Sequence, residues 1–596
     1  MTSKTSYFEP ALFLRGLKKT FPVWFGYLVL WLLFLPLNIL NEFQRDPSIA
    51  DIYGMICSGT VASVVTTAVL ALALAWTLFH FLFRTTTAYD IAALPVRRES
   101  LFLTSFLCGL GIAFAAHLLI ALVTFAATAI VGIPAFGVCM QFLAGSMLSF
   151  LGFFGFAVLI AIIVGNAVAM PLIYIVLNFA AYAVIMIVTE LLTRFVYGLG
   201  EVSDSVLYIA MILSPLTLVF GGNVLVVYGW NESYTQRVGV TIGGFSYLYI
   251  IAAMGLISAV VAFFLLRKRE MERSGDVVAI RALRPVFLYL FSVGCALVIG
   301  YVLATLSSNS QYNFPILLLL QLVGAFLGYF AAQMMLQKSA RVFTGKRTWI
   351  GFAALCVVLA ATFSVARFDL FGYSKKVPDA RSVKVVSFDH TRVSDKADIE
   401  AVVALHQQVV AQQHAQLSLL QNELYNFSYL EFDYVLNDGS TLHRRFKVSN
   451  ASDLPQQADT LLNSRSFLIA RNAIPGDVQP GDISGGVIYG NNKNGDWTNY
   501  TLSSQAAYAL YTTCILPDLT ESAIGLVHYS TSSEVTSEDI FGTDITVEIN
   551  MSDTWHPRYY PADTGGAYSL SYDYSLTTDA SRCIDYVEKL GFAVPQ

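Results

Sequence analysis

The chain has 596 residues, 56% of them hydrophobic and only 13% charged, with a mean hydropathy of +0.60. These values exclude an ordinary soluble globular protein and assign much of the chain to a lipid bilayer. The net charge of −5 is less informative than its placement, because basic residues crowd the short segments between apolar runs before residue 350 and the acidic surplus lies mainly toward the C-terminus.

In chain order, residues 7–20 read as a short amphipathic helix, with Phe8, Leu12 and Leu17 apolar and Arg15, Lys18 and Lys19 basic. Such a helix suits the membrane interface. The next apolar run is too long for a signal-peptide core and lacks a small-residue cleavage site, so it is read as a retained span. Crossing a hydrocarbon core of about 30 Å takes about 20 residues. Runs of that length fall at 21–40, 59–83, 101–131, 138–164, 167–192, 247–266, 286–306, 314–336 and 348–366.

Charge fixes the expected orientation. With the N-terminus inside, the inner segments hold Lys4, Arg15, Lys18 and Lys19; Arg84, Arg97 and Arg98; Arg267, Lys268, Arg269, Arg273, Arg281 and Arg284; and Lys338, Arg341, Lys346 and Arg347. The outer segments up to residue 347 hold Arg45, Arg194 and Arg237, so the balance is 17 against 3. An odd number of spans then puts everything after residue 366 outside. The long outer segment 197–246 contains an apolar but broken stretch, 206–227, that does not read as a full span.

Residues 84–103 form a short polar hinge between two long apolar runs. Its arginines suit a cytoplasmic loop, and residues 90–93 are expected to form a helical turn that Pro95 helps to end.

From residue 373 the composition turns to Ser, Thr, Asn, Asp and Tyr, with length for one or two compact domains. Strands are expected at 383–388, 429–436, 441–448, 544–551 and 567–574, and helices at 394–415, 506–516 and 580–590, which together read as α+β. Ser394 is read as the helix cap and Asn437-Asp438-Gly439 as the hairpin connection, its Asp-Gly pair suiting a primed turn. Cys514 and Cys583, alone in this part of the chain, are a candidate disulfide.

Little catalytic chemistry is legible. No phosphate-cradling G-x-x-x-x-G-K-[ST] occurs, and carboxylates are nearly absent from the apolar runs, against ion-coupled transport. His80, His117, Asn166 and Asn178 read as packing residues. The later histidines at 390, 406, 414, 443, 528 and 556 are scattered among acids such as Asp389, Asp433 and Asp553, with no expected metal ligands, catalytic residues or cofactor.

The run from Asp90 through Leu94, Pro95, Val96 and Arg97 to Arg98, followed by an apolar span, resembles the loop between the second and third spans of ABC-2-type exporter permeases. Residues 17–40 and 266–280 resemble that family's first span and the exit of its sixth. Residues 399–410 and 432–446 resemble a C-terminal domain attached to some ABC-2-type permeases of Firmicutes. The resemblance implies that Asp90, Leu94, Pro95, Val96, Arg97 and Arg98 couple to a separate ATPase chain, a homodimer or heterodimer that carries ATP and Mg. It also implies a second permease chain, identical or related, re-entrant helices within 197–246, and the amphipathic helix as an interface element.

The expected whole is a polytopic α-helical membrane protein. It would have an interface helix (1–20), a six-span ABC-2, type V exporter-like domain (21–285), three additional spans (286–372) and an extracellular α+β domain (373–596). Its partners would be the ATPase, the second permease and the lipid bilayer, with no nucleic acid. The alternative is an extracellular peptide- or antibiotic-sensing, or resistance, module that signals through such a partner.

Overall fold

The computed structural model describes residues 8–42, 47–92, 96–199, 204–221, 224–230, 237–306, 313–370, 372–422, 426–474, 476–521, 524, 545–552 and 571–593. The chain forms two compact units. One holds Met1–Leu191, Val202–Gln311 and Pro315–Thr362, and the other Leu192–Glu201, Tyr312–Phe314 and Phe363–Gln596.

The first unit carries nine helices, among the described residues, that are long and apolar enough to cross a membrane. They coincide with the nine apolar runs, and the protein is a multi-pass membrane protein. Helix α1 (Pro10–Lys19) precedes the first span, which Pro36 divides into α2 (Phe21–Phe34) and α3 (Pro36–Glu42). The second span, α4 (Ile49–Leu78), starts well before the expected residue 59. A capping box sets that start: the Ser48 hydroxyl accepts from the Asp51 backbone N–H, and the Asp51 carboxylate accepts from the Ser48 N–H. The signal was legible, but an apolar-run criterion discounts a stretch holding Asp51.

After α5 (Thr85–Ala92) come α6 (Arg98–Ile130), α7 (Phe136–Ile163) and α8 (Ala169–Phe195). Two short helices, α9 (Asp204–Leu213) and α10 (Pro215–Phe220), lead to an antiparallel hairpin of β1 (Leu225–Trp230) and β2 (Arg237–Gly243). The Tyr182 backbone N–H, midway along α8, donates to the Ser214 hydroxyl at the α9–α10 junction (3.1 Å). The pair therefore dips about half the length of α8 and turns back. The hairpin was not expected, because its valines run on from the apolar stretch before it.

Helices α11 (Phe245–Lys268), α12 (Arg284–Leu306), α13 (Phe314–Gln337) and α14 (Lys346–Arg367) complete the unit. Helix α7 is central, with Phe150, Phe153 and Phe154 fully buried. It crosses α11 at glycines: a Cβ on Gly155 would lie 1.9 Å from the Gly255 carbonyl oxygen. Small residues also bring α12 and α13 together, since a Cβ on Gly324 would meet the Ala296 Cα at 3.0 Å. Such close backbone approach is how helices associate where lipid removes the hydrophobic drive.

The second unit contains one fold twice. The first copy runs β3 (Val383–Phe388), β4 (Thr391–Val393), α15 (Lys396–Ala411), α16 (Gln413–Asn422), β5 (Phe427–Leu436), β6 (Thr441–Ser449), α17 (Leu454–Leu462) and α18 (Arg465–Asn472). The second runs β7 (Ile483–Asn491), β8 (Trp497–Ser503), α19 (Ser504–Leu510), α20 (Leu516–Thr520), β9 (Thr546–Met551), β10 (Ser571–Ser575) and α21 (Ser581–Lys589). The sheet orders are β4-β3-β5-β6 and β8-β7-β9-β10, all antiparallel. Each copy is thus two hairpins, each followed by helix, with the first strand of one hairpin paired to the first of the other.

Three sequence expectations change here. The cap of α15 is Asp395, whose carboxylate accepts from the Ala397 N–H, rather than Ser394. The helix expected at 506–516 spans α19 to α20 through a π-turn at Tyr511–Ile515; Pro517, which lacks an N–H to return to Thr513, accounts for the widened turn.

The third concerns register. The β5–β6 loop has three residues, 437–439, with Gly439 at φ +83, so Asp433 pairs with His443 and Phe432 with Arg444. A two-residue turn at Asp438-Gly439 would shift β6 by one residue and turn Phe446 and Val448 away from the core; both are fully buried in the observed register.

Candidate functional site at one end of the helix bundle

The inner segments expected from charge meet at one end of the first unit, around Arg269. This side chain follows directly on α11 and is 1% exposed. Its Nη1 donates to the carbonyls of Ala161 (3.0 Å), Ile162 (2.5 Å) and Val164 (3.2 Å), and its Nη2 to that of Leu82 (2.7 Å). Burial lowers its pKa to about 10, which leaves it charged at neutral pH.

The last carbonyls of a helix have no partner within the helix, and here they can be accounted for one by one. The Val164 N–H takes the Ile160 carbonyl, and Arg269 takes those of Ala161, Ile162 and Val164. The Ala279 N–H takes Ile163 and the Gly275 N–H takes Gly165 (2.9 and 2.6 Å). The Met170 N–H takes Asn166, whose side chain caps α8 by accepting from the Val168 and Ala169 N–H groups. A guanidinium against helix C-terminal carbonyls is favoured by the helix dipole.

The hub extends through side chains. Arg98, the first residue of α6, donates to the carbonyls of Arg267 (3.3 Å) and Arg269 (2.8 Å). Glu99 pairs with Arg267 at 3.1 Å. Asp276 binds Arg284 (2.5 Å) and Lys338 (2.6 Å). Residues 82, 98, 161–165, 267–284 and 338 are therefore held together, as alternation of nine spans requires.

Of the expected coupling residues, Asp90 lies in α5, which begins at Thr85 and so is longer than the expected turn. Helix α5 packs on the turns at His80–Leu82 and Met271–Arg273. Leu94 and Pro95 lie outside the described residues. Val96 is half-buried, and Arg97 and Arg98 are exposed. Tyr89 is 55% exposed on α5, and sequence reasoning passed over it and Arg269.

The helix expected to lie at the interface is α1, Pro10–Lys19. Its Lys19 Nζ donates to the Thr77 carbonyl (2.8 Å), and the Glu9 N–H preceding it donates to the Thr104 hydroxyl (3.1 Å). Leu12 and Leu17 pack on the bundle core, while Phe8, Arg15, Lys18 and Lys19 are exposed.

His117 bonds the Tyr27 hydroxyl (2.9 Å) and the Ala113 carbonyl (2.7 Å), and Asn178 the Tyr174 carbonyl (2.8 Å), as packing residues do. An open groove of about 680 Å³ between α6, α7 and α11 is lined by Leu107, Leu110, Phe114, Met147, Leu148 and Tyr249 among others, and has no charged side chain in its lining.

In the second unit Cys514 and Cys583 are both buried free thiols, not the expected disulfide. Burial, with the Asp518 carboxylate that accepts from the thiol and from the Cys583 N–H (3.0 Å), pushes the Cys583 thiol far above its usual pKa. His528, His556 and Asp553 lie outside the described residues. No family model matches the chain, and comparison with curated proteins and with solved structures gives no match.

Proposed function

We propose that this chain is the transmembrane subunit of an ATP-driven exporter of the ABC-2 type, with the Arg269 end of the bundle in the bacterial cytoplasm and the duplicated C-terminal fold outside. A separate ATPase chain docks on α5 and the residues that follow it, Val96, Arg97 and Arg98. The observation that carries this reading is the Arg269 hub: it ties the segment bearing α5 to the ends of α4, α6, α7 and α11. A push on α5 is passed to packed helices rather than absorbed by a loose loop. Tyr89, exposed beside this hub, has the aromatic character common in docking hot spots. The basic balance of the same end supports its cytoplasmic placement.

The chain itself supplies no nucleotide chemistry in this reading; ATP and Mg bind the partner. The transport path forms where two such transmembrane units meet.

Purification of the tagged full chain from its native membrane, with mass-spectrometric identification of what accompanies it, tests the proposal. A stoichiometric partner carrying a phosphate-binding loop is expected. Recovery with a histidine kinase and no such ATPase supports the sensing alternative, and recovery with neither overturns both.

A further inference from the structure

Among the described residues, one trio of metal-ligating side chains comes together: Glu431, Asp433 and His443, each half-buried, offering ligand atoms within 4.8 Å of one another. It lies in the first repeat, outside everything the proposed function uses. Strand β5 alternates, with Leu430, Phe432 and Tyr434 buried and Glu431 and Asp433 on the opposite face. The three-residue loop then brings His443 of β6 directly opposite Asp433. Glu431 is the diagonal neighbour, within reach for a long side chain.

The imidazole stands between the two acids. Nδ1 contacts the Asp433 carboxylate, and Nε2 lies 3.6 Å from Glu431 Oε1. The basic residues that follow on β6 are laid over aromatic rings: the Arg445 guanidinium is 4.3 Å from the Tyr429 ring centre, and the Lys447 ammonium is 3.5 Å from that of Phe427. Asp389, in the turn after β3, donates its backbone N–H to the Glu431 carbonyl (3.2 Å).

We propose that Glu431, Asp433 and His443 form a binding site for a first-row divalent cation such as zinc on the outer face of the first sheet. One neutral imidazole nitrogen and two carboxylate oxygens balance a double positive charge, and water completes the coordination. Imidazole selects zinc-like ions over calcium and magnesium, which take oxygen ligands. Both strands belong to a regular antiparallel ladder, which holds the three donors on a rigid element. Among the described residues the second repeat shows no such trio: at its related positions Glu548 faces Asp573.

The test uses the full chain in detergent, stripped with chelator and equilibrated with zinc at neutral pH, with bound metal measured by elemental analysis and affinity by competition against a fluorescent chelator. Wild type is expected to hold one zinc per chain more than H443Q. E431Q and D433N should weaken binding by about tenfold or more, and H414Q, at an exposed histidine elsewhere, should not. Equal melting of the metal-free variants and wild type shows that the substitutions leave the fold intact. Equal zinc content and affinity in wild type and H443Q overturns the site and leaves the trio as an ion pair.

Discussion

Two places where the described residues gather charge do so by different means. At the end of the bundle, Arg269 is almost fully buried and is held by backbone carbonyls from two segments more than seventy residues apart. On the first C-terminal sheet, Glu431, Asp433 and His443 are half-exposed and are held by each other, within one hairpin. The first arrangement belongs to the folded bundle and cannot be changed piecemeal. The second is a surface feature that can be altered without disturbing the core beneath it. The difference separates a residue that transmits structure from residues that bind.

The largest effect is therefore expected at Arg269. Arg269→Ala strands the carbonyls of Leu82, Ala161, Ile162 and Val164, at about 1–3 kcal/mol for each that finds no water, and should leave little folded protein after detergent extraction. Arg269→Lys keeps the charge but loses the planar fork, and should give an intermediate loss in thermal stability. If Arg269→Ala extracts and melts like wild type, the hub is not holding the helix ends.

Next comes the core beneath the trio. Burial, with the charge of Arg444 nearby, pushes the His406 pKa down to about 3, against about 6.5 when unfolded. The unfolded chain therefore takes up the proton first as pH falls. The stability contribution is complete above about pH 6.5 and is lost progressively between there and about pH 3. His406→Phe should reduce the acid-induced loss of hydrogen-exchange protection in residues 383–449 between pH 7 and 4.5. An unchanged loss would assign acid sensitivity elsewhere.

Much of the bundle was readable because a bilayer demands long apolar runs, and all nine were found with ends mostly within a few residues. Ser48 and Asp51 show where a local capping rule outperforms hydropathy. Arg269 looked like one of six basic residues in a loop, because what singles it out is a set of carbonyls, and carbonyls have no letter. The duplicated fold was hidden for a related reason: the two copies share strand order, not sequence pattern, and β7 and β8 are rich in Gly, Asn and Thr. Asp433 and His443 were noticed only as scattered residues. Their ten-residue spacing across a turn put them close, but a one-residue choice in loop length decided whether they shared a face.

A smaller effect is expected in the second repeat. Cys514 and Cys583, buried and free, should resist alkylation in the folded chain and react on denaturation, with no linked peptide in unreduced digests. A Cys514–Cys583 peptide would restore the disulfide.

The sidedness can be read with single cysteines at Thr86 and Ser440, both exposed, in a background without native thiols. An impermeant reagent on intact cells should label position 440 directly and position 86 only after permeabilisation. The reverse pattern would invert the bundle.

The claim that α5 receives the ATPase is tested most directly by a photoreactive amino acid in place of Tyr89, with position 440 as the comparison, in the full chain within its native membrane. The account predicts a crosslink from position 89 to a separate nucleotide-binding chain, and none to that chain from position 440. Crosslinks from position 89 that reach only lipid or another copy of this chain, with a nucleotide-binding chain present in the membrane, would contradict it.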